Sequence, residues 1–261
     1  MAMAQLNGAP ATPSDLQTLA LVNYGHFTSM RVDDQHIRGL SHHLDRLVKD
    51  CRQVFAADLD RDRVREFVRT AVADESGSFV VRVTIFDPQL EMGHPGSDAD
   101  PHVLVTTRPA VALPPSPMRA KSAVYARDMP LVKHIGLFGQ LRHRRTAQLS
   151  GFDDAVFVDT AGFVSEGATW NIAFFDGENV MWPDADVLPG VTMRLLQQVH
   201  EQTINAPVNL SNLGGMEAAF ATNTSVGVRP VICIDGTEFP GDHTVFADLR
   251  KEYEEIPPER L

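Results

Sequence analysis

Four prolines fall within the nine residues from Pro109 to Pro117. Proline removes a backbone donor and fixes φ, so neither a helix nor a central strand runs through such a stretch. The chain on either side must fold as two lobes. Before the break, Leu40, Leu44, Leu47, Val48, Cys51, Val54 and Phe55 share one helical face. A second amphipathic helix runs through Val64, Phe67, Val68, Ala71 and Val72, with Asp60 placed to cap it. Phe79–Phe86 and Val103–Thr107 are rich in β-branched and aromatic residues and read as strands. The Gly-, Pro- and Asp-rich stretch 87–101 between them is a loop.

Beyond the break a strand is expected near Ala120–Tyr125, then a helix from Leu137 to Leu149 stopped by Gly151. Short strands follow at Ala155–Asp159, Phe163–Glu166, Asn171–Phe175 and Val180–Trp182, punctuated by turn pairs such as Asp176-Gly177. Gly190 opens a helix through Val199, Phe220–Ile234 reads as strand and loop, and Thr244–Glu255 as a charged helix. The expected class is α/β in the α+β sense. A small N-terminal α/β lobe spans 1–112, a linker 113–122, and a larger β-rich lobe 123–261.

With 261 residues, 43% of them apolar, the chain can bury a sizeable core. A net charge of −11 argues against nucleic acid as a partner. No run approaches membrane-spanning length and the N-terminus lacks a basic region followed by an apolar stretch, so a cytoplasmic protein away from membranes is expected. Cys51 and Cys233 lie far apart in no metal-ligand spacing, and His42 and His43 point to different helix faces, so no metal is expected.

Of four lysines, Lys49, Lys121 and Lys251 lie in polar surroundings, whereas Lys133 sits in Leu131-Val132-Lys133-His134-Ile135-Gly136-Leu137-Phe138. Desolvation there would favour the neutral amine that forms Schiff bases; a lysine snorkelling to water fits the same segment. Leu188-Pro189-Gly190-Val191-Thr192 ahead of a helix offers backbone donors to a phosphate, and is also how many helices begin. Glu166 is a carboxylate among apolar and small residues, suited to a protonated pyridine nitrogen or to an internal salt bridge. Arg142, Arg144 and Arg145 read as solvated charges or a dimer contact.

In their order these segments resemble the class IV aminotransferases, the fold type IV pyridoxal-phosphate enzymes that include branched-chain and D-amino-acid aminotransferases, (R)-selective amine transaminases and aminodeoxychorismate lyase. Phe27-Thr28-Ser29-Met30-Arg31-Val32 looks like the family's first strand, and His43-Leu44-Asp45-Arg46-Leu47 like its phosphate-binding helix motif. Val132-Lys133-His134 resembles the Schiff-base lysine segment, with a Lys-His pair close to the lyase branch. Gly151-Phe152-Asp153-Asp154-Ala155, Ser165-Glu166-Gly167 and Asn171 match the next block at about the family's separation. Leu188–Thr192 and Asn223-Thr224-Ser225 match its phosphate-binding turns.

The resemblance implies a two-lobed fold with pyridoxal 5′-phosphate held on Lys133. It gives Arg46, Val191, Thr192 and Thr224 the phosphate and Glu166 the ring nitrogen. It also implies a homodimer whose active sites lie between the lobes and border the neighbouring subunit. The expected activity is transfer of an amino group between an amino acid or (R)-amine and a 2-keto acid. The alternatives are aminodeoxychorismate lyase chemistry, which eliminates pyruvate to leave 4-aminobenzoate, and a catalytically idle cofactor-binding protein. Phe27, Phe138 and Arg229 are the candidate substrate residues. Phe138 stands where branched-chain enzymes carry tyrosine, and Arg229, where relatives often have a smaller neutral side chain, could hold a substrate carboxylate or form an ion pair.

Overall fold

Strands rich in β-branched and aromatic residues build the sheet in the first part of the chain, and a computed structural model describes residues 4–261 of it. Strands β1 (Ala4–Leu6) and β2 (Ala9–Pro10) precede helix α1 (Gln17–Leu21), β3 (His26–Asp33) and β4 (His36–Ile37). Helices α2 (Leu40–Phe55) and α3 (Arg61–Ala71) follow, then β5 (Ser78–Phe86) and β6 (His102–Pro109). Asp60 caps α3 by accepting the Asp62 and Arg63 N–H groups. Met30 and Val32 of β3, Val81 and Val83 of β5 and Val103 and Val105 of β6 pack against Leu44, Leu47 and Cys51 of α2 and Val64 and Val68 of α3. The period-two strand pattern and the 3.6-residue helix pattern thus meet in one core.

The second part begins with β7 (Met118–Val124), α4 (Phe138–Leu149), β8 (Asp154–Val158), β9 (Val164–Gly167), β10 (Asn171–Phe175) and β11 (Val180–Pro183). It continues through α5 (Val191–Val199), β12 (Thr203–Ala206), a short 3-10 helix at Leu210–Gly215, β13 (Ala218–Asn223), β14 (Gly227–Ile234), β15 (Thr237–Glu238) and α6 (Val245–Glu255). β7 and β8 run parallel, so α4 serves as their crossover. Strands β10, β13, β14, β7, β8 and β9 pair in that order, and β9 pairs back to β10, closing a ring. Met118, Val156, Ile172, Phe174, Ala219, Ala221 and Val231 fill it. On the outer face Ala173, Phe220 and Val228 pack against Leu196 of α5 and Phe246 and Leu249 of α6.

The two compact units are not continuous in sequence. The first holds residues up to Val111 together with Val132–Gly136 and Pro257–Leu261; the second holds Ala112–Leu131 and Leu137–Ile256. The expected linear division at 113–122 is corrected by strand-like pairing. Residues 118–122 already lie in β7, the Lys133 segment hydrogen-bonds to β3, and the final strand β16 (Glu259–Arg260) pairs with β4. Among the described residues no helix is long and apolar enough to cross a membrane, and no group of three or more His, Cys, Asp or Glu could hold a metal.

Candidate active site

In the first unit the Lys133 segment is bound as an extra edge. The Phe27 N–H donates to the Lys133 carbonyl at 2.9 Å and the Ile135 N–H to the Gly25 carbonyl at 3.0 Å. His26 and His134 form a bridge, and the Lys133 N–H donates to Asp50 Oδ2 at 3.0 Å. Gly25 has φ +155°, and a Cβ there would come 2.4 Å from the Ile85 carbonyl oxygen, so this approach needs glycine. The Lys133 side chain is half-buried, with Nζ 5.0 Å from the Phe27 ring centroid. The Arg82 guanidinium stacks on that ring at 3.7 Å.

On the helix-facing side of β3, Thr28 Oγ1 bonds His43 Nδ1 at 2.7 Å and accepts a hydrogen bond from Arg46. His43 is fully buried, and burial, then Arg46 and Lys133, push its pKa well below the ordinary histidine value. It is a neutral spacer that orients Arg46 through a shared hydroxyl. Asp50, one helical turn after Arg46, is 0% exposed; burial raises its pKa against the lowering effects of the Lys133 N–H bond and of Arg46, Lys49 and Lys133. Arg46, Lys133 and Phe27 are therefore brought together, with Asp50 and Arg82 added.

In the second unit Glu166 lies on β9 with its side chain 6% exposed, paired with the equally buried Arg127 at 3.3 Å. Its Oε2 accepts the Leu188 N–H at 3.3 Å, tying the carboxylate to the turn before α5. Asn171 shapes that turn: Nδ2 donates to the Leu188 carbonyl at 2.7 Å and Oδ1 accepts the Gly190 N–H at 3.2 Å. A Cβ on Gly190 would fall 2.2 Å from that Oδ1. α5 then starts with no side-chain cap, so its first amides are directed at whatever lies beyond the turn. Val191 and Thr192 are buried, and the Thr192 hydroxyl has no hydrogen-bond partner among the described residues. Thr222, opposite Asn171 in the β10–β13 register, carries a second such hydroxyl. Thr224 follows in the turn where Asn223 Oδ1 accepts the Ser225 and Val226 N–H groups.

A helix N-terminus with two unsatisfied buried hydroxyls beside it suits a phosphate, and a buried carboxylate held by arginine suits a protonated ring nitrogen. These residues fit pyridoxal phosphate. The internal ion pair weighed for Glu166 is also present, with Arg127.

Two candidates lie elsewhere. Phe138 opens α4 and is 80% exposed. Arg229 shares its strand face with the ring interior and lines a cavity of about 310 Å³ with Arg144, Asp153, Trp170 and Asn223. Its Nε donates to the Ser116 carbonyl at 2.7 Å, so it has a backbone partner rather than an ion pair there. Alternation turns Asn171 and Thr222 to the opposite face, where α5 packs. Arg144, expected to be solvated or interfacial, instead pairs with Asp154 at 2.8 Å and bonds Thr169. Sequence reasoning missed Asp50, Arg82 and Arg127. Asp50 sits next to the apolar stripe of α2 and Arg82 is one cation in an apolar strand, which are usable signals. Arg127, in an irregular segment, offered none.

The family model described as amino-transferase class IV matches residues 25–234. A "probable branched-chain-amino-acid aminotransferase" of Rickettsia felis is 27% identical over 121 residues, which are 43% of this chain and 42% of that protein. The chain thus spans less than half the length of the curated relatives it matches. Among solved structures, a fold IV-transaminase from Curtobacterium pusillum superposes with a TM-score of 0.82 at 21% identity, covering 98% of this chain and all of that one. A protein from Legionella pneumophila, provisionally named a 4-amino-4-deoxychorismate lyase, superposes with a TM-score of 0.81 at 19% identity, covering 92% and 93% of the two chains.

Proposed function

The chain belongs to the class IV aminotransferase family, and on that premise we propose that it is a pyridoxal 5′-phosphate-dependent aminotransferase moving an amino group between an amino acid or amine and a 2-keto acid. The observation that carries this is Lys133: a half-buried lysine, clamped through its own N–H and carbonyl, with its amine beside Phe27. When bound, the cofactor supplies an electron sink for negative charge developing on the substrate carbon.

Lys133 Nζ would hold the cofactor and, as a free amine, would serve as the base that takes up and returns a proton at the reacting carbon. Arg46 binds phosphate oxygens, its guanidinium steadied by Thr28 and His43. Val191 and Thr192 would contribute the first amides of α5, and Thr192 and Thr224 their hydroxyls, to a phosphate. Glu166 would keep a proton on the ring nitrogen, and Arg127 orients Glu166. Arg82, stacked on the ring that Lys133 touches, favours substrates with a carboxylate over plain amines.

The test is an absorption spectrum of purified protein before and after adding D- and L-amino acids and (R)- and (S)-amines without acceptor. A yellow band that shifts to the pyridoxamine form with one donor class supports the reading and names the substrate's hand. No band with added cofactor overturns it. The Lys133-His134 pair and the likeness to the Legionella protein support lyase chemistry as second reading; release of pyruvate from aminodeoxychorismate without an amino acceptor would establish it.

Phe138 at 80% and Leu141 at 48% exposure on α4, with Val124 at 61% at the end of β7, support a homodimer that covers them. Sedimentation should give twice the chain mass, and Phe138→Asp should shift it toward monomer.

A further inference from the structure

Asp50 is a carboxylate with no exposed surface, placed on α2 one turn beyond Arg46. One of its oxygens accepts the Lys133 N–H at 3.0 Å; the other, Oδ1, is buried without a hydrogen-bond partner among the described residues. An amide or a serine hydroxyl would accept that N–H equally well. Neither carries the cost of a desolvated charge. The hydrogen bond alone therefore does not account for an acid here.

The charge does have company. Arg46 and Lys49 on α2 and Lys133 itself act on Asp50. His42, His43 and Cys51 on α2, His26 on β3 and His134 are further titratable groups of the neighbourhood, and Arg82 on β5 reaches it through Phe27. In this set Asp50 brings the negative charge, and the others are cationic, histidine or the buried Cys51 thiol, which burial keeps protonated. We infer that Asp50 is a positioning residue that sets the protonation of the Lys133 amine: its carboxylate fixes the Lys133 backbone and stabilises the protonated form of the side chain. This rests on the reading of Lys133 as the cofactor's lysine, and it deepens that reading by naming what tunes the amine.

The test needs no cofactor. The neutral amine is the form that reacts with acetic anhydride, so the extent of acetylation of Lys133 against pH, read by peptide mass mapping, gives its midpoint. Lys121 and Lys251 serve as internal references. Two uncharged variants keep an acceptor for the Lys133 N–H: Asp50→Asn and the smaller Asp50→Ser. The expected result is a Lys133 midpoint lower by about one pH unit in both, as loss of a nearby buried charge implies, with Lys121 and Lys251 unmoved. The pH midpoint of the absorption band of cofactor-loaded protein should move in the same direction.

A Lys133 midpoint unchanged in folded Asp50→Asn or Asp50→Ser would reduce Asp50 to a structural hydrogen-bond acceptor and overturn the inference. So would failure of both variants to fold, since the acid would then serve the fold. Failure of the underlying reading looks different: borohydride treatment of wild-type protein with pyridoxal phosphate would leave Lys133 unmodified, whatever the acetylation midpoints show.

Discussion

Glu166 and Arg127 neutralise one another where both side chains are only 6% exposed. Attraction between such charges roughly balances their desolvation, but removing one leaves the other buried and uncompensated. Arg127→Met should destabilise the cofactor-free protein by about 3–5 kcal/mol, read as a lower urea midpoint, and Arg127→Met with Glu166→Gln should recover much of it. His26 sets a pH limit of another kind. Both ring nitrogens are buried without hydrogen-bond partners among the described residues, and burial, with a lesser contribution from Arg46, lowers its pKa to about 3. The unfolded chain takes up this proton near pH 6.5 and the folded one does not, so stability falls as pH drops from about 6.5 toward about 3, by up to about 1.4 kcal/mol per pH unit. His43, also depressed, adds to the same slope. Urea midpoints measured from pH 7 to pH 4 should fall less steeply in His26→Leu than in wild type.

At the scale of elements, the turn into α5 is the most constrained piece of backbone in the second unit. Asn171 reaches from β10 to both the Leu188 carbonyl and the Gly190 N–H. A methyl on Gly190 would collide with that side chain at 2.2 Å, so Gly190→Ala must displace either Asn171 or the start of the helix. The proposed phosphate role of this turn then predicts weaker cofactor binding in Gly190→Ala and Asn171→Ala, by about tenfold for each hydrogen bond lost. Fluorescence titration with pyridoxal phosphate measures it. Unchanged binding with an intact fold would remove the turn from the phosphate site. α5 and α2 are both legible in the amino-acid sequence, because their apolar stripes recur at helical spacing and Gly190 marks where α5 opens. β1, β2, β12 and the 3-10 helix at Leu210–Gly215 carry no such signal. They are two to six residues long, too short to establish a period, and exist because neighbouring strands and loops offer them backbone partners.

For the whole molecule, a ligand that binds only the folded chain must stabilise it. At a hundred times its Kd, pyridoxal phosphate should add about 2.7 kcal/mol; the resulting rise in Tm should shrink in Lys133→Ala, which removes the proposed covalent anchor. An unchanged rise would move the anchor elsewhere. The sequence by itself determined the types and order of the longer elements and the break near Pro109–Pro117, and it nominated Lys133, Arg46, Glu166, Val191 and Thr192 as candidates, because periodicity and motif order are local or linear properties of a chain. Tertiary structure decided what linear order cannot carry. It returned Val132–Gly136 and Pro257–Leu261 to the first unit, gave Lys133 its buried Asp50, and gave Glu166 its Arg127. It also turned Arg229 to the ring interior, away from the face where α5 packs. Asp50 lies 83 residues from Lys133 and Arg127 lies 39 from Glu166. Strand pairing and the need to match every buried charge bring such partners together, and neither requirement is written in any one segment.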